Sequence, residues 1–322
     1  MDESDNATLA RLVAFLEAHA SVVDKATIQH AYAPAQALSG NVRVGDDCAA
    51  IPDGEGWLLF AAEGMLESFV QADPWFAGYS AVMVNLSDVA AMGGTPLAVV
   101  DVLWTPGLAQ SAEILAGMSA ASRAYGVPIV GGHTTITQSD SAFLAAAVLG
   151  KARKLITSFD ARPGDDLLMI VDLRGAWRRD KPFWNASVGA PPERLRVDLA
   201  LLPALAESGW CRAGKDISNG GIVGTLAMLL ECSRVGAELW LDQLPQPPDT
   251  DLARWLLAFP SFGYLLSVAP EFTPQVGAHF AVRDLACASV GRITAAPSLV
   301  LSYRSARMPF SAVASRHPAT SL

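Results

Sequence analysis

The sequence has few charged residues and no cluster of basic ones, which argues against nucleic-acid binding. Charged residues make up 17% of the 322-residue chain, and the formal net charge is -9. Its lysines and arginines are scattered, so DNA and RNA are not expected partners. No apolar run approaches the length of a membrane span, and the acidic stretch Met1–Asn6 lacks the regions of a signal peptide. We therefore expect a cytoplasmic protein that does not enter a membrane.

Closely spaced cysteines are missing as well. The chain has 4 cysteines, far apart and without a C-x-x-C pair, so neither a zinc site nor a disulfide framework is predicted. The sequence is instead 51% hydrophobic and contains 26 glycines and 20 prolines, which is typical of a compact α/β enzyme. A chain of this length favours two domains over one.

The stretch Val82–Pro96 is the one around which the chain is organised. Its apolar residues recur at spacings near three and four, while Asn85 and Asp88 share another face, which predicts an amphipathic helix. Asp73-Pro74 is a suitable start and Gly93-Gly94 a suitable end. We expect one face to pack and the other to carry chemistry. In isolation, Asp88 is better explained as a solvated helix carboxylate.

Adjacent carboxylates follow Gly45 in the sequence G-D-D. Asp46 and Asp47 repel each other if both are held close together, so a cation or open solvent must relieve that repulsion. A metal site and a solvated turn both fit. The next predicted strand, Trp57–Ala62, leads directly into Glu63, and strand ends are common places for ligand carboxylates.

Two glycine-containing motifs suggest phosphate binding. A predicted buried strand, Val127–Val130, ends in the G-G-H-T-T motif of residues 131–135, where backbone amides approach whatever binds. A histidine in a turn or in the core is the alternative explanation. In the second half, the stretch Lys215–Cys232 predicts a strand, a glycine turn and a helix, whose free amides favour an anion. There, an ordinary helix cap is the alternative.

Taken in order, these motifs resemble a known enzyme group. G-D-D-C-A at Gly45, V-N-L-S-D-V-A-A-M-G-G-T-P at Val84, G-G-H-T-T at Gly131 and K-D-I-S-N-G-G at Lys215 resemble the aminoimidazole ribonucleotide (AIR) synthetase, or PurM-like, superfamily. The N-L-S-D-x-A-A-M-G block is most similar to thiamine-monophosphate kinase, and G-G-H-T to selenide water dikinase. The combination indicates a separate AIR-synthase-related branch.

The resemblance implies a two-domain α/β (α+β) fold. It implies an N-terminal sheet domain that pairs in a homodimer, a C-terminal α/β domain, and ATP with magnesium held by the acidic motifs. The corresponding segments are an N-terminal helical segment at 1–40, an ATP/magnesium domain at 41–154, a C-terminal domain at 155–302 and a flexible tail at 303–322. Within them, the residues alone predict helices at Ala7–His19, Asp24–Leu38, Ala109–Tyr125 and Glu193–Glu207.

The resemblance also implies roles for individual residues. The residues implied to bind magnesium are Asp46, Asp47, Glu63 and Asp88. The residues implied to contact ATP are Asn85, Gly131, Gly132, Ser218 and Gly220. The residues implied to take part in catalysis are His133, Asp216 and Asn219. Magnesium prefers hard oxygen ligands and bridges carboxylates to phosphates, which agrees with such a set.

Three positions depart from the kinase pattern. Glu63 stands where the kinase has aspartate, His133 replaces the aspartate of G-G-D-T, and Asn219 replaces that of D-I-S-D-G. The leading hypothesis is therefore a magnesium-dependent ATP-binding enzyme that phosphorylates or activates an oxygen of a small molecule. The alternatives are thiamine-monophosphate kinase itself and a catalytically silent nucleotide-binding scaffold.

Overall fold

The chain folds into two compact units of mixed α/β structure. The computed structural model describes residues 3–25, 40–138, 141–178 and 181–311. The central unit comprises Asp47–Leu155 and Gly189–Glu207; the terminal unit comprises the described residues within Met1–Asp46, Ile156–Val188 and Ser208–Leu322. The α/β class predicted from the sequence is confirmed. Most of the predicted helix Asp24–Leu38 lies outside the described residues.

Helices and strands are numbered here in chain order over the described residues. The α-helices are α1 Glu3–Ala18, α2 Glu67–Ala72, α3 Pro74–Ala91, α4 Leu108–Tyr125, α5 Pro192–Leu199, α6 Leu201–Ser208, α7 Gly221–Ser233, α8 Leu252–Leu256 and α9 Thr273–Ala281. The strands are β1 Ala49–Asp53, β2 Gly56–Gly64, β3 Thr95–Thr105, β4 Ile129–Ile136, β5 Phe143–Ala152, β6 Asp166–Val171, β7 Ala176–Trp177, β8 Phe183–Asn185, β9 Ala213–Asp216, β10 Gly236–Trp240, β11 Phe259–Pro260, β12 Gly263–Val268, β13 Ala286–Thr294, β14 Leu299–Tyr303 and β15 Ala306–Phe310. None of these helices combines the length and the apolar composition that crossing a membrane requires.

The central unit is built on a sheet with the described strand order β1-β2-β5-β3-β4. All neighbouring strands are antiparallel except β3 and β4, which are parallel and connected by α4. One face of the sheet packs against α3, as the contact between Gly150 in β5 and the side chain of Val89 shows. We call this the helix-covered face and the opposite side the open face.

Helix α3 begins and ends where the sequence predicts. The side chain of Asp73 accepts a hydrogen bond from the backbone N of Phe76 at 3.4 Å, and Pro74 occupies the first helical position. Gly93, with φ of +73°, follows the end of the helix. The N-cap and C-terminal glycine signals therefore set the bounds of this helix.

The prediction that only one face of α3 packs was wrong, because every residue from Phe76 to Ala91 is buried. A Cβ atom on Gly78 would overlap the backbone of Ile114 in α4, and one on Gly117 would overlap the backbone of Trp75. The two helix backbones therefore touch, and only glycine permits that approach. Helix α3 lies between the sheet and α4, so its polar residues are buried with its apolar ones.

Strand β4 also differs from its prediction. The strand was expected to be buried and to end before G-G-H-T-T, but it runs through that motif to Ile136, at the edge of the sheet. Residues 130–134 are exposed. Hydrogen-bonded pairing with β3 holds the motif extended, and Thr134 and Thr135 have high strand propensity.

The segment predicted as one helix at Glu193–Glu207 forms two, α5 and α6. Pro203 has no backbone N–H to donate to the preceding turn, so a continuous hydrogen-bond ladder is interrupted there. The preceding loop contains the short strands β7 and β8, which pair with each other.

The terminal unit contains a sheet with the described order β15-β14-β10-β13-β6-β12-β9. Helix α1 packs on this unit, and Leu9, Val13 and Leu16 belong to its apolar core. The sequence predicts a separate N-terminal helical segment at residues 1–40 and a flexible tail at residues 303–322. Residues 306–310 instead form β15 and pair with β14. Residues 312–322 lie outside the described part of the chain.

Candidate functional site

The central unit brings two of the predicted metal-binding carboxylates together. The backbone N of Cys48 donates to Sδ of Met92 at 3.0 Å, which fixes the segment after Asp47 against the C-terminal end of α3. Met92 follows Asp88 by one helical turn. Carboxylate oxygens of Asp47 and Asp88 consequently lie within 4.8 Å of each other.

The environments of these two carboxylates differ. Asp88 is 6% exposed, whereas Asp47 is partly exposed. If both are ionised, two charges at that separation repel by roughly 3 kcal/mol at an effective dielectric constant of about 20. A divalent cation bound by both would turn this repulsion into attraction, and oxygen ligands of this kind suit magnesium.

Asn85 lies one turn before Asp88 on α3 and is completely buried. Its Nδ2 donates to the carbonyl of Ala81 at 2.7 Å and to that of Ala146 in β5 at 3.3 Å. Among the described residues, nothing donates a hydrogen bond to its Oδ1. Buried acceptors without partners are uncommon. Asn85 thus ties the helix to the sheet and keeps one acceptor available near Asp88.

Asp46 belongs to the terminal unit and has a different set of contacts. Its two carboxylate oxygens accept hydrogen bonds from the backbone N and from Oγ of Ser158, at 2.9 and 2.7 Å. Such pairing is what holds a loop in place. The residues that were predicted as equivalent metal ligands, Asp46 and Asp47, therefore have distinct surroundings.

Glu63 is exposed in β2, on a row of the sheet that also contains Ala146, Asp101 and Gly132 on β5, β3 and β4. Among the described residues, Glu63 is not part of the close pair of carboxylates formed by Asp47 and Asp88. Its role in metal binding stays a prediction.

Asp101 was missed by the sequence reasoning. It is 9% exposed and lies on the helix-covered face, where a Cβ atom on Gly132 would collide with its side chain. Burial raises the pKa of this carboxyl, and a hydrogen bond with its own backbone lowers the pKa by a smaller amount. The available signal was a single charge inside the apolar strand V-V-D-V-L-W.

His133 lies on the open face of the same sheet. Its partner in β3 is Val102, and the residues of β3 that face α3 are the neighbouring Asp101 and Leu103. The side chain of His133 is exposed and its Nε2 lies 3.1 Å from Oγ1 of Thr135. The sheet therefore separates His133 from Asp88 within the central unit. Its predicted catalytic role remains untested.

The D-I-S-N-G-G motif forms the predicted strand, turn and helix within the terminal unit. Asp216 ends β9 and is 2% exposed, while Asn219 is exposed at the tip of the turn. Gly220 and Gly221 have φ of +101° and +65°, which L side chains rarely adopt. The backbone N of Ser218 donates to Oγ1 of Thr225 at 3.2 Å, which holds the turn against the first part of α7.

Comparison with protein families gives two matches that together cover most of the chain. The family described as AIR synthase related protein, N-terminal domain, matches residues 45–152, and the corresponding C-terminal domain matches residues 180–304. Uncharacterized protein sll0787 of Synechocystis sp. is 50% identical over 261 residues, which are 81% of each chain. Thiamine-monophosphate kinase of Synechococcus elongatus is 29% identical over 238 residues, covering 65% of this chain and 70% of the kinase.

Solved structures show the same fold. Thermotoga maritima PurL complexed with AMPPCP matches with a TM-score of 0.74 at 19% identity, over 91% of this chain and 50% of PurL. AaThiL complexed with AMPPCP and TMP matches with a TM-score of 0.66 at 18% identity, over 88% of this chain and 95% of AaThiL. The present chain therefore spans about half the length of that PurL and nearly all of AaThiL.

Proposed function

This chain belongs to the AIR synthase related protein family, and we propose that it is a magnesium-dependent, ATP-binding enzyme that phosphorylates or otherwise activates an oxygen atom of a small molecule. The observation that carries the proposal is the pair of carboxylates from Asp47 and Asp88 beside buried Asn85. Related proteins whose structures contain ATP, ADP or AMPPCP make a nucleotide the natural ligand to test first.

The residues of the pair fit magnesium. A partly exposed carboxylate and a buried one offer hard oxygen ligands from two separate segments, and an amide oxygen nearby has no donor among the described residues. Magnesium would supply charge neutralisation for a polyphosphate. Asp47 and Asp88 would hold it, and the tie from Asn85 to β5 would keep α3 in position. Phosphoryl transfer depends mainly on such positioning and neutralisation.

The decisive measurement is a calorimetric titration of ATP, and then of ADP, into the full chain with magnesium and again with a chelator. Binding in the micromolar range that disappears with the chelator supports the proposal and justifies a search for acceptors by ATP consumption. No binding under either condition would contradict the proposal. Binding without turnover of any acceptor would instead favour a silent nucleotide-binding scaffold.

Thiamine-monophosphate kinase activity is the second candidate, favoured by the N-L-S-D-V-A-A-M-G block and by the similarity to the Synechococcus kinase. The replacements at Glu63, His133 and Asn219 count against it. Purified protein incubated at high concentration with thiamine monophosphate, ATP and magnesium tests it directly. Absence of thiamine diphosphate under these conditions eliminates this candidate.

A homodimer formed through the open face of the central sheet is part of the same proposal. This face carries a group of large apolar side chains that are between 39% and 50% exposed: Ile51, Phe60, Val100, Trp104, Phe143 and Leu149. Large exposed apolar patches mark interaction surfaces. A second copy would cover them with a patch of the same kind, as two-fold symmetry requires. We place the enzyme in the cytoplasm, where ATP and magnesium are available.

A further inference from the structure

Asp101 is a buried carboxylate that has no role in the magnesium site proposed above. It is 9% exposed in the middle of β3, between the apolar residues Val100 and Val102. Among the described residues, no cation and no side-chain donor contacts it, and the hydrogen bond that lowers the pKa of its carboxyl comes from its own backbone. Burial of a carboxylate without a partner is unfavourable, and aspartate is uncommon in strands. The packing of β3 therefore does not explain why this residue is an aspartate.

The neighbours of Asp101 in the sheet have a small side chain or none. On the helix-covered face it lies between Ala146 of β5 and Gly132 of β4. A Cβ atom on Gly132 would overlap Oδ1 of Asp101, so the carboxylate occupies the space that any other side chain at 132 would fill. Strand β4 is at the edge of the sheet, and Gly132 is exposed. The carboxylate therefore points towards an open edge, and we call Asp101, Ala146 and Gly132 the carboxylate notch.

A second buried acceptor adjoins the carboxylate notch. Asn85 donates to the carbonyl of Ala146, while its own Oδ1, which is completely buried, receives no hydrogen bond from the described residues. Because Ala146 is also the register partner of Asp101, both acceptors lie around the same residue. Asn85 precedes Asp88 by one helical turn, so the notch is next to the proposed magnesium site. Buried acceptors without donors call for a ligand that supplies donors.

The chemistry of the notch favours an N–H donor over a second metal ion. Magnesium needs several hard oxygen ligands in a fixed geometry. Within the described part of the chain, Asp101 belongs to no group of three carboxylate, histidine or cysteine ligands. A single carboxylate instead accepts two hydrogen bonds side by side, which suits the paired N–H groups of an amidine or an amine. Pockets for small molecules commonly combine apolar walls with a few such polar groups.

We infer that Asp101 binds an N–H group of the acceptor molecule, so that the acceptor is a nitrogen compound: an amidine, an amide or a protonated amine. This inference rests on the function proposed above, because it places the acceptor next to the magnesium site. Asp101 orients the acceptor, and Gly132 leaves the carboxylate uncovered at the edge of the sheet. The unpaired carboxylate lowers the stability of the empty protein, which is a common property of binding residues.

The test follows thermal unfolding of the full chain against the concentration of three probes, with sodium chloride keeping the ionic strength equal. Acetamidinium has a charge and paired N–H groups, acetamide has N–H groups without a charge, and tetramethylammonium has a charge without N–H groups. The variant is Asp101→Asn, and Asp53→Asn is the matched control because it removes an exposed carboxylate from the same unit. Acetamidinium should stabilise the wild type and the control, and its dissociation constant should rise about tenfold or more in Asp101→Asn, which loses a charge-assisted contact.

The three probes also distinguish the kind of N–H group. Stabilisation by acetamidinium alone identifies a cationic group, and stabilisation by acetamide identifies a neutral amide. The inference is overturned if neither N–H probe stabilises the wild type, if tetramethylammonium acts as strongly as acetamidinium, or if Asp101→Asn responds as Asp53→Asn does. None of the probes requires a bound nucleotide. Failure of nucleotide binding in the calorimetric titration would therefore contradict the proposed function separately from this result.

Discussion

Helix α3 and strand β4 both carry motifs that predicted contacts with a metal ion or a phosphate, and the structure gives them opposite surroundings. Helix α3 is buried on all sides and contributes Asn85 and Asp88. Strand β4 lies at the edge of the sheet, and its histidine is exposed on the other face. Two motifs that received the same functional interpretation thus lie in two different chemical environments within one unit.

The difference shows what decides whether a polar motif becomes a rigid site. Asp88 is held by a helix whose backbone touches α4 and whose Val89 side chain meets Gly150 of the sheet, so the helix that carries it is fixed on two sides. His133 has a hydroxyl neighbour two residues away on its own strand and an open surface above it. Metal binding needs ligands in fixed positions, which favours the helix. The open face is better suited to association.

A substitution at Gly117 would disrupt the packing of α3 against α4, and we expect it to have the largest effect on stability. Gly117→Ala would force a Cβ atom into the backbone of Trp75, and overpacking of this kind should lower the free energy of unfolding by about 3 kcal/mol or more. Urea unfolding measures it. The matched control is Gly277→Ala in α9, where a Cβ atom meets no atom within 4 Å and the change should be neutral or stabilising. Equal effects at both sites would contradict the close approach of α3 and α4.

The carboxylate pair provides the second test of the comparison. Asp88→Asn keeps the shape of the side chain but removes its charge, so magnesium-dependent nucleotide affinity should fall by about a hundredfold while the fold is retained. Calorimetry measures the affinity and circular dichroism the fold. Asp53→Asn, at the exposed end of β1, removes the same charge from the same unit and should leave affinity unchanged. Unchanged affinity in Asp88→Asn would remove its ligand role.

Sequence reasoning predicted α3 well because its signals are local. The Asp73 cap, Pro74 and the glycines after Ala91 each act within a few residues, so the bounds follow without tertiary information. Burial of the polar face could not be predicted in the same way. It depends on Gly78 and Gly117, which meet α4 and α3 only after folding.

The candidate site was predictable to a similar extent. The motif residues were identified from the sequence. The strand order and the hydrogen bond from the backbone N of Cys48 to Sδ of Met92 decide which of these residues come together. The face on which His133 lies follows from its register with Val102, which no local pattern specifies. Asp101 belongs to none of the motifs, so its contact with Gly132 could be seen only in the folded chain.

The open face gives the third prediction. Trp104→Glu places a charge in the centre of the proposed interface and should weaken self-association by about a hundredfold, because buried aromatic side chains dominate such interfaces. Sedimentation velocity over a range of concentrations measures this. Val282→Glu is the control, since that side chain is 76% exposed and lies outside the central unit. A wild-type chain that stays monomeric, or a Trp104→Glu variant that dimerises normally, would refute this use of the open face.

The smallest effect concerns Asp101, which lies beneath Gly132 on the helix-covered side of the sheet. Burial raises the pKa of its carboxyl, so the native state favours the protonated form more than the unfolded state does. This contribution to stability is complete below the unfolded pKa and is lost as pH rises through the folded one. Asp101→Asn should therefore be more stable than the wild type at pH 7, with the difference disappearing near pH 3. Chemical unfolding at both pH values measures it, with Asp53→Asn as the exposed control. A variant less stable than the wild type at pH 7 would show that the ionised carboxylate makes a stabilising contact, and the helix-covered face of β3 would then be as well suited to charge as α3.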